Sequence, residues 1–398
     1  MTQLTAFEKR LKRQVIARPA EFFAVTAPGL EPLCLQEMQA LSLSTSKKSV
    51  TTGGVTFAGY LQDCYRANLC LRTANRILMR INAFKASNFR TLEKNLSQFP
   101  WELYLQPGTL PGLQITTHRS RLHHSGAVAD RFLSGITRRW SQMAIESPPD
   151  NSWPYDQRLF VRIMNDRFTV SLDSSGENLY RRGLKKDVAA APLRETVAAA
   201  VLMLANYSPP EPLVDPMCGS GSFSLEAAMQ ARKIPAGWLR EFAFYDWPVF
   251  RLTKKRWNYI RKGLQQVITD TKASAIFAAD IDPTACDALG KNSADSGFSQ
   301  TIRVSNRDFF NLLPEEFSRT PGLLTLNPPF GRRMGSMGQS NRMFDKLLNQ
   351  MKTKWRGWKV GLVVPRQSLL KKIPFSTRHL SIHHGGLRLF LVAGRIPD

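Results

Sequence analysis

The chain has 398 residues, with 55 Lys and Arg against 31 Asp and Glu, so its formal net charge is +24 and its pI is near 10.2. This excess of positive charge favours a partner with a phosphate backbone. The length suggests two or three domains, and no apolar run approaches the roughly 18 residues of a membrane-spanning helix, so we expect no membrane partner.

The setting of the protein is indicated by its N-terminus and its cysteines. The first 20 residues are basic and have no apolar core of the kind found in a secretory signal, so we expect no secretory signal. Five cysteines lack the spacing of disulfide pairs or metal ligands: Cys34, Cys64, Cys70, Cys218 and Cys286. This predicts a reducing, cytoplasmic environment.

Two histidine pairs are the only other groups that suggest a metal site. They are His123-His124 and His383-His384. Neighbouring side chains point apart in a strand, and no cysteine or acidic residue has ligand spacing relative to either pair. No metal is therefore predicted.

The N-terminal region alternates short strands and helices. After a basic leader at residues 1–20, the pattern predicts a strand at 21–29, a helix at 31–41, a strand at 54–57 and a helix at 61–77. This order is typical of a small α+β sandwich.

A basic turn follows the next predicted strand, at residues 112–118, and leads into a helix through 131–140. The turn and the helix carry a set of basic residues: Arg119, Arg121, His123, His124, Arg138 and Arg139. Each one alone is more often a solvated surface residue than an RNA contact, but as a group they could meet phosphates and sugar hydroxyls.

A glycine-containing loop opens the second half of the chain. A bridge at residues 173–183 and an apolar helix at 193–204 precede a strand at 212–215, and the loop Asp215-Pro-Met-Cys-Gly-Ser-Gly-Ser-Phe223 then leads into a helix from Ser222. Glycines at 219 and 221 let the backbone approach a ligand at a helix N-terminus. By itself such a loop could hold a dinucleotide phosphate, an adenosyl cofactor or nothing.

Acidic residues follow the next two predicted strands. Residues 274–279 lead to Asp280-Ile281-Asp282, and residues 301–305 lead to Asp308-Phe309. An acid at the tip of the second strand of such a fold typically accepts hydrogen bonds from ribose hydroxyls. Asp282 is also suited to cap the following helix, and Asp308 could instead belong to an exposed acidic turn.

A rigid elbow, Asn327-Pro-Pro-Phe330, ends the apolar strand predicted at 322–326. The two prolines fix φ and hold Asn327 in an extended conformation. The Asn327 side-chain oxygen and the Pro328 carbonyl then become two convergent acceptors, which suit an exocyclic amino group. Covalent chemistry at a base carbon would instead need a cysteine nucleophile near the elbow, and none lies near it in the sequence.

After the elbow, residues 331–340 predict a mobile loop with Arg332 and Arg333 facing RNA backbone. A buried strand at 358–365 and a hairpin at 379–392 around Gly385-Gly386 then complete the sheet.

The landmarks DPMCGSGSF, ADID, RDF and NPPF, in this order, resemble those of class I S-adenosylmethionine-dependent methyltransferases that act on amino groups. The N-terminal half resembles a THUMP domain after a ferredoxin-like segment, the arrangement of bacterial 23S ribosomal RNA guanine-N2 methyltransferases. These phrases carry the second resemblance: Ala27-Pro-Gly-Leu-Glu31, Tyr65-Arg-Ala-Asn68, Pro100-Trp-Glu102 and Ser120-Arg-Leu-His-His-Ser125.

The resemblance implies an α/β fold, with a Rossmann-like methyltransferase domain after an α+β ferredoxin-like and THUMP region. The expected boundaries are 1–20 for the leader, 21–66 for the ferredoxin-like segment, 67–172 for the THUMP domain and 173–398 for the methyltransferase. Some relatives carry a second methyltransferase domain, whereas one activity is expected here.

The resemblance also implies S-adenosylmethionine as cofactor, and these binding residues are expected: Asp215, Pro216, Cys218, Gly219, Gly221, Ser222, Phe223, Asp280, Ile281, Asp308, Phe309 and Glu195. A charge at a helix start explains Glu195 equally well. The catalytic set is Asn327, Pro328, Pro329 and Phe330, in which Phe330 replaces the commoner tyrosine and stacks on a flipped base.

Three functions are consistent with these features. The first is guanine-N2 methylation of 23S ribosomal RNA, a substrate that rests on resemblance alone. The second is guanine-N2 or adenine-N6 methylation of transfer RNA, because the elbow accepts either amino group. The third is a non-catalytic RNA-binding factor for ribosome assembly. Protein-glutamine methyltransferases have a similar elbow, but the positive charge gives them no evident benefit.

Overall fold

The computed structural model describes residues 4–41, 43–44, 48–145, 157–185, 193–269, 275–329 and 337–398, with only the backbone of Met337. Its helices are α1 Ala6–Leu11, α2 Glu31–Ala40, α3 Leu61–Cys70, α4 Phe89–Gln98, α5 Ser125–Gln142, α6 Glu195–Leu204, α7 Ser222–Ala231, α8 Phe250–Gln265, α9 Pro283–Asp295, α10 Met337–Lys354 and α11 Gln367–Leu370. A π-helical turn, Lys12–Ile16, extends α1.

Two seven-stranded sheets organise these ranges. The strands of the first are β1 Ala20–Val25, β2 Lys48–Thr51, β3 Gly54–Gly59, β4 Arg76–Lys85, β5 Gly112–His118, β6 Arg158–Met164 and β7 Arg167–Asp173. Those of the second are β8 Leu213–Asp215, β9 Ile276–Asp280, β10 Ile302–Asn306, β11 Leu323–Leu326, β12 Lys359–Val364, β13 Thr377–His384 and β14 Leu387–Arg395.

The first sheet has the order β2-β3-β1-β4-β7-β6-β5. Its neighbours are antiparallel except β5 and β6, which are parallel. Both predicted N-terminal segments share this sheet, because β1 pairs with β4 and β4 pairs with β7. The α+β class predicted for this half is confirmed.

One predicted element of this half is wrong. The helix expected at 61–77 ends at Cys70, and Ile77 lies in β4 opposite Ala24 of β1. The carboxylate of Glu37 accepts hydrogen bonds from the backbone N–H groups of Arg72 at 2.8 Å and Thr73 at 2.9 Å. This contact from α2 stabilises a turn that leaves the helix axis.

The second sheet has the order β10-β9-β8-β11-β12-β14-β13. Its first five strands are parallel, and β14 is antiparallel to both β12 and β13. One face is covered by α6 and α7, which bury Val201 and Leu225, and the other by α10, which buries Leu347 and Met351. This is the Rossmann-like methyltransferase pattern that the sequence predicts, with its antiparallel final hairpin.

The two halves are joined by α8 and by buried charges. Trp257 of α8 packs in the core of the first sheet, and Thr253 shares a 2.7 Å hydrogen bond with the Tyr65 hydroxyl of α3. Glu226 of α7 pairs with Arg72 at 2.6 Å and with Arg182 at 3.4 Å. A segment of the second half therefore forms part of the first core.

None of the described helices is long and apolar enough to cross a membrane.

Candidate active site

A cleft of about 560 Å³ lies where parallel strands β8, β9, β10 and β11 end. In an open α/β sheet, the carboxyl ends of the strands are where ligands bind. Many of the residues predicted from sequence line it: Pro216, Cys218, Gly219, Ser222, Phe223, Asp280, Ile281, Asp308, Phe309, Asn327 and Pro329. The structure thus brings the glycine loop, both acidic strand ends and the elbow to one cavity.

The two glycines of the loop have different surroundings. Gly219 has φ +51°, and a Cβ added there would meet no other atom within 4 Å, so its backbone is open to the cleft. Gly221 has φ +81° and does not line the cleft, and an added Cβ would lie 2.2 Å from Cδ1 of Leu289. Gly219 leaves open space beside its backbone at the cleft, whereas Gly221 allows α7 and α9 to pack closely.

Asp280 is held in place by backbone donors. Its carboxylate accepts the N–H of Gly219 at 2.8 Å and the N–H of Asp282 at 3.0 Å. The next side chain, Ile281, is 71% exposed at the cleft, and Asp282 caps α9 by accepting the N–H of Thr284 at 2.9 Å. The cap is the one suggested by the sequence, and Asp280 keeps further acceptor capacity on the cleft side.

The end of β10 contributes aromatic residues. Asp308 accepts the N–H of Phe310 at 3.1 Å, and Phe309 is almost fully buried, with its ring 6.0 Å from that of Trp355. Phe310 also lines the cleft, and the Lys346 ammonium lies 3.9 Å from its ring centroid. The sequence analysis named Phe309 and missed Phe310 and Lys346.

Other cleft residues were also missed: Leu193, Met217, Ser220, Asp282, Ala285 and Met343. Met217 and Ser220 lie inside the predicted loop, so their position in the chain was the available signal. Asp282 was predicted to cap the following helix and was not among the expected cofactor residues. Leu193 begins the helix predicted at 193–204, whereas no motif marks Met343, which comes from another part of the chain.

The elbow follows β11, which is fully buried between β8 and β12. Asn327 and Pro329 line the cleft, and Pro328 is buried between them. Phe330, Arg332 and Arg333 lie outside the described residues. The buried strand therefore fixes the position of Asn327 at the cleft.

Three predicted cofactor residues do not line the cleft: Asp215, Gly221 and Glu195. Asp215 is fully buried, and its carboxylate accepts a 2.8 Å hydrogen bond from the Ser224 hydroxyl. Burial raises the pKa of Asp215 to about 7. Glu195 pairs with Lys185 at 2.9 Å, and the Lys185 ammonium also donates to Ser222 Oγ at 2.6 Å. Glu195 is therefore linked to Ser222, the first residue of α7, through the Lys185 ammonium.

A cysteine does lie on the same cleft as Asn327, contrary to the reasoning from sequence spacing. It is Cys218, which shares a hydrogen bond with Cys286. That hydrogen bond and burial raise the pKa of Cys218, while the same bond lowers the pKa of Cys286 to about 7. Because the thiolate is the nucleophile, Cys218 is poorly suited to covalent attack on a base.

The predicted RNA-contacting residues of the first half form an exposed group with one exception. The exposed members are Arg119, Arg121, His123, His124 and Arg138. Arg139 is half-buried and holds the buried Glu102 carboxylate through two hydrogen bonds, at 3.0 and 2.7 Å. The Arg139 guanidinium is therefore engaged by Glu102 within the protein.

One of the two histidine pairs does not lie in a strand, so the prediction that its side chains point apart for that reason is wrong. His123 and His124 precede α5 rather than lying in a strand, and their ring centroids are 4.2 Å apart. Within the described ranges, however, no three His, Cys, Asp or Glu side chains are grouped so as to hold a metal ion.

Comparisons with known proteins indicate the family and the fold of the chain. Residues 182–380 match the RMKL-like methyltransferase domain family, and residues 21–78 match the RlmL ferredoxin-like domain. A putative RNA methyltransferase of Synechocystis sp. is 29% identical over 376 residues, covering 92% of this chain and 94% of that protein. The ribosomal RNA large subunit methyltransferase K/L of Methylococcus capsulatus is 31% identical over 391 residues, covering 93% of this chain.

The chain spans about half the length of that K/L protein, 51%. Among solved structures, a putative methyltransferase complexed with SAH superposes with a TM-score of 0.84 at 23% identity, covering 96% of this chain and 99% of the other. At that identity the likeness concerns the fold.

Proposed function

Since the chain belongs to the RMKL-like methyltransferase family, we propose that it transfers a methyl group from S-adenosylmethionine to guanine N2 in 23S ribosomal RNA. The observation that carries the proposal is that Asn327 and Asp280 open onto one cleft. The RNA class is supported by the K/L relatives, which are named for large subunit ribosomal RNA. The net charge of +24 suits such a substrate.

The cleft fits the cofactor. Asp280 is oriented by two backbone N–H groups and has acceptor capacity left for ribose hydroxyls, and Ile281 and Phe310 offer apolar surface to the adenine. The open backbone at Gly219 leaves room for the ligand at the start of α7. When bound, S-adenosylmethionine supplies an electrophilic methyl group on a sulfonium centre.

The elbow would bind the acceptor. An aromatic amino group is a weak nucleophile because its lone pair is delocalised into the ring. The Asn327 side-chain oxygen and the Pro328 carbonyl would accept its two N–H groups and draw the nitrogen towards tetrahedral geometry. Positioning and preorganised acceptors then account for the catalysis that the protein itself contributes.

Further contacts remain predictions. Phe330 would stack on the flipped base, and Arg332 and Arg333 would contact backbone phosphates. The exposed group Arg119, Arg121, His123, His124 and Arg138 would bind RNA at the first sheet. Arg139 would support this surface through Glu102. A ribosomal RNA substrate and unpaired cysteines are consistent with action in the cytoplasm.

Two alternatives use the same fold. Transfer RNA could supply the guanine, or an adenine N6 amino group, because the elbow recognises an amino group and not a particular base. A non-catalytic RNA-binding factor for ribosome assembly is disfavoured, because the backbone at Gly219 is open and both Asp280 and Asn327 line the cleft.

The test is methylation of unmodified RNA with labelled S-adenosylmethionine, followed by digestion to nucleosides. Ribosomal RNA, transfer RNA and large-subunit assembly intermediates are assayed separately. Label in N2-methylguanosine from 23S RNA supports the proposal. Label in transfer RNA or in N6-methyladenosine supports the second function. No label in any substrate, combined with no binding of S-adenosylhomocysteine in calorimetry, supports the third.

A further inference from the structure

Helix α8 presents an unusually basic outer face. It carries six Lys and Arg residues and no Asp or Glu, while Trp257 and Ile260 anchor its inner face in the core. Lys255, Tyr259 and Lys262 follow each other at intervals of four and three residues, so they lie along one exposed face of the helix. Tyr259 is 77% exposed. Neither the family motifs nor the cofactor cleft explains an exposed aromatic ring between two lysines.

A groove of about 580 Å³ runs beside this face, between α8 and α3. Tyr259 and Lys262 line it from α8, and Arg66 lines it from α3. Apolar side chains, including Ile260 and Leu264, complete the walls. The groove therefore combines an aromatic face, apolar surface and cations from two elements.

A second cavity, of about 340 Å³, follows the first along the same helix pair. It is lined by Arg256 of α8 and by Tyr60, which lies just before α3 and is 40% exposed. The two cavities are centred about eight residues apart on α8, which corresponds to about 12 Å of helix. A tyrosine and a basic residue thus occur together twice along the α3–α8 seam.

Several cations of α8 have no acidic partner among the described residues. In the described part of the chain, no carboxylate pairs with Lys254, Lys255 or Lys262. By contrast, Arg251 pairs with Glu8, and Arg256 donates to the side-chain oxygen of Gln62. The three lysines are therefore available to an external anion.

We infer that the α3–α8 seam binds a single-stranded segment of RNA, with bases stacked on Tyr259 and Tyr60 and phosphates at the lysines of α8. Single-strand sites combine a basic groove with aromatic platforms on which bases stack. An acidic protein surface would use the charges but would gain little from two exposed rings. The inference rests on the proposed function for its RNA class, and it places a contact outside the cofactor cleft and the basic turn.

The test measures the affinity of the full-length protein for a short, labelled single-stranded RNA of mixed sequence, by anisotropy without cofactor. The triple variant Lys254→Glu, Lys255→Glu and Lys262→Glu should bind at least about tenfold more weakly, and its salt slope should fall by about 2, since each single-strand phosphate contact contributes about 0.7. A control with the same charge change at exposed positions elsewhere is Lys352→Glu, Lys354→Glu and Lys371→Glu. It should lose clearly less affinity than the α8 variant.

Tyr259→Ala separates stacking from charge. It should weaken binding by roughly tenfold with an unchanged salt slope, and Tyr259→Phe should retain wild-type affinity. Loss of affinity in the lysine variant but not in Tyr259→Ala would overturn the RNA-stacking site and indicate a patch that attracts polyanions or an acidic partner. Equal losses in the α8 and control triple variants would also overturn it.

The readout distinguishes this inference from the proposed function. If the wild-type protein binds RNA through α8 but methylates none of the RNA substrates, the proposed function fails and the inference stands. If methylation occurs while the α8 variants keep full RNA affinity, the inference fails and the proposed function stands.

Discussion

Replacing each loop glycine by alanine should produce two different defects. At Gly221, the new Cβ would lie 2.2 Å from Leu289 Cδ1 in a left-handed backbone conformation. The conformation costs about 1–2 kcal/mol for a residue with a Cβ, and forcing an extra methyl into a packed core costs about 1–3 kcal/mol. Gly221→Ala should therefore lower the free energy of unfolding by about 2–5 kcal/mol.

At Gly219 the same change meets open space, so only the conformational cost of about 1–2 kcal/mol applies to stability. The added methyl would project into the cleft and weaken ligand binding. Gly219→Ala should thus lower the affinity for S-adenosylhomocysteine more than it lowers stability. Each variant is the matched control of the other.

Urea unfolding and calorimetry with S-adenosylhomocysteine measure the two quantities. Leu289→Ala in the Gly221→Ala background tests the clash directly, because the double variant should lose less stability than the sum of the single changes. Additive losses would refute the packing role of Gly221. Unchanged ligand affinity in Gly219→Ala would refute the open-backbone role of Gly219.

Two further predictions concern buried carboxylates. Because burial raises the folded-state pKa of Asp215 to about 7, its contribution to stability is present at low pH and lost as the pH rises towards 7, by up to about 4 kcal/mol. The free energy of unfolding of Asp215→Asn minus that of wild type, measured in urea, should therefore be larger at pH 8 than at pH 4. A difference that stays the same at both pH values would contradict this. Burial acts to raise the pKa of Glu226, but the charges of Arg72 and Arg182 outweigh burial and lower that pKa. The stability that ionised Glu226 contributes is therefore lost only as the pH falls through the lowered pKa. Glu226→Gln leaves two cations without their counter-charge and should cost about 3–5 kcal/mol in urea unfolding at pH 7. A loss below about 1 kcal/mol would show that the ion pairs contribute little.

Much of the second sheet was predictable because its parallel strands are short apolar runs, each ending in a residue with distinctive chemistry. Asp280 and Asn327 were located from this rule, since the carboxyl ends of parallel strands meet at one edge. The local sequence was sufficient to locate these two residues because each of them directly follows its strand.

The failures have long-range causes. The overlong helix at 61–77 was interrupted by Glu37 from another helix, and Arg139 is held by Glu102 from another segment. Lys346 reaches the cleft from α10. No local pattern indicates such pairings. The packing of α8 against α3, in the core of the first half, was likewise unforeseen, because helical periodicity identifies an apolar face but not the surface that it covers.

The most direct test of the central claim is the single-turnover rate of methyl transfer by Asn327→Ala, measured with S-adenosylhomocysteine affinity and with Asn349→Ala, an exposed asparagine of α10, as control. Removing one preorganised hydrogen-bonding group from a transition state typically costs about 10²–10³ in rate. We predict a loss of that size for Asn327→Ala with cofactor affinity unchanged, and a wild-type rate for the control. Methyl transfer by Asn327→Ala at the wild-type rate would contradict the assignment of Asn327 as the acceptor-binding residue.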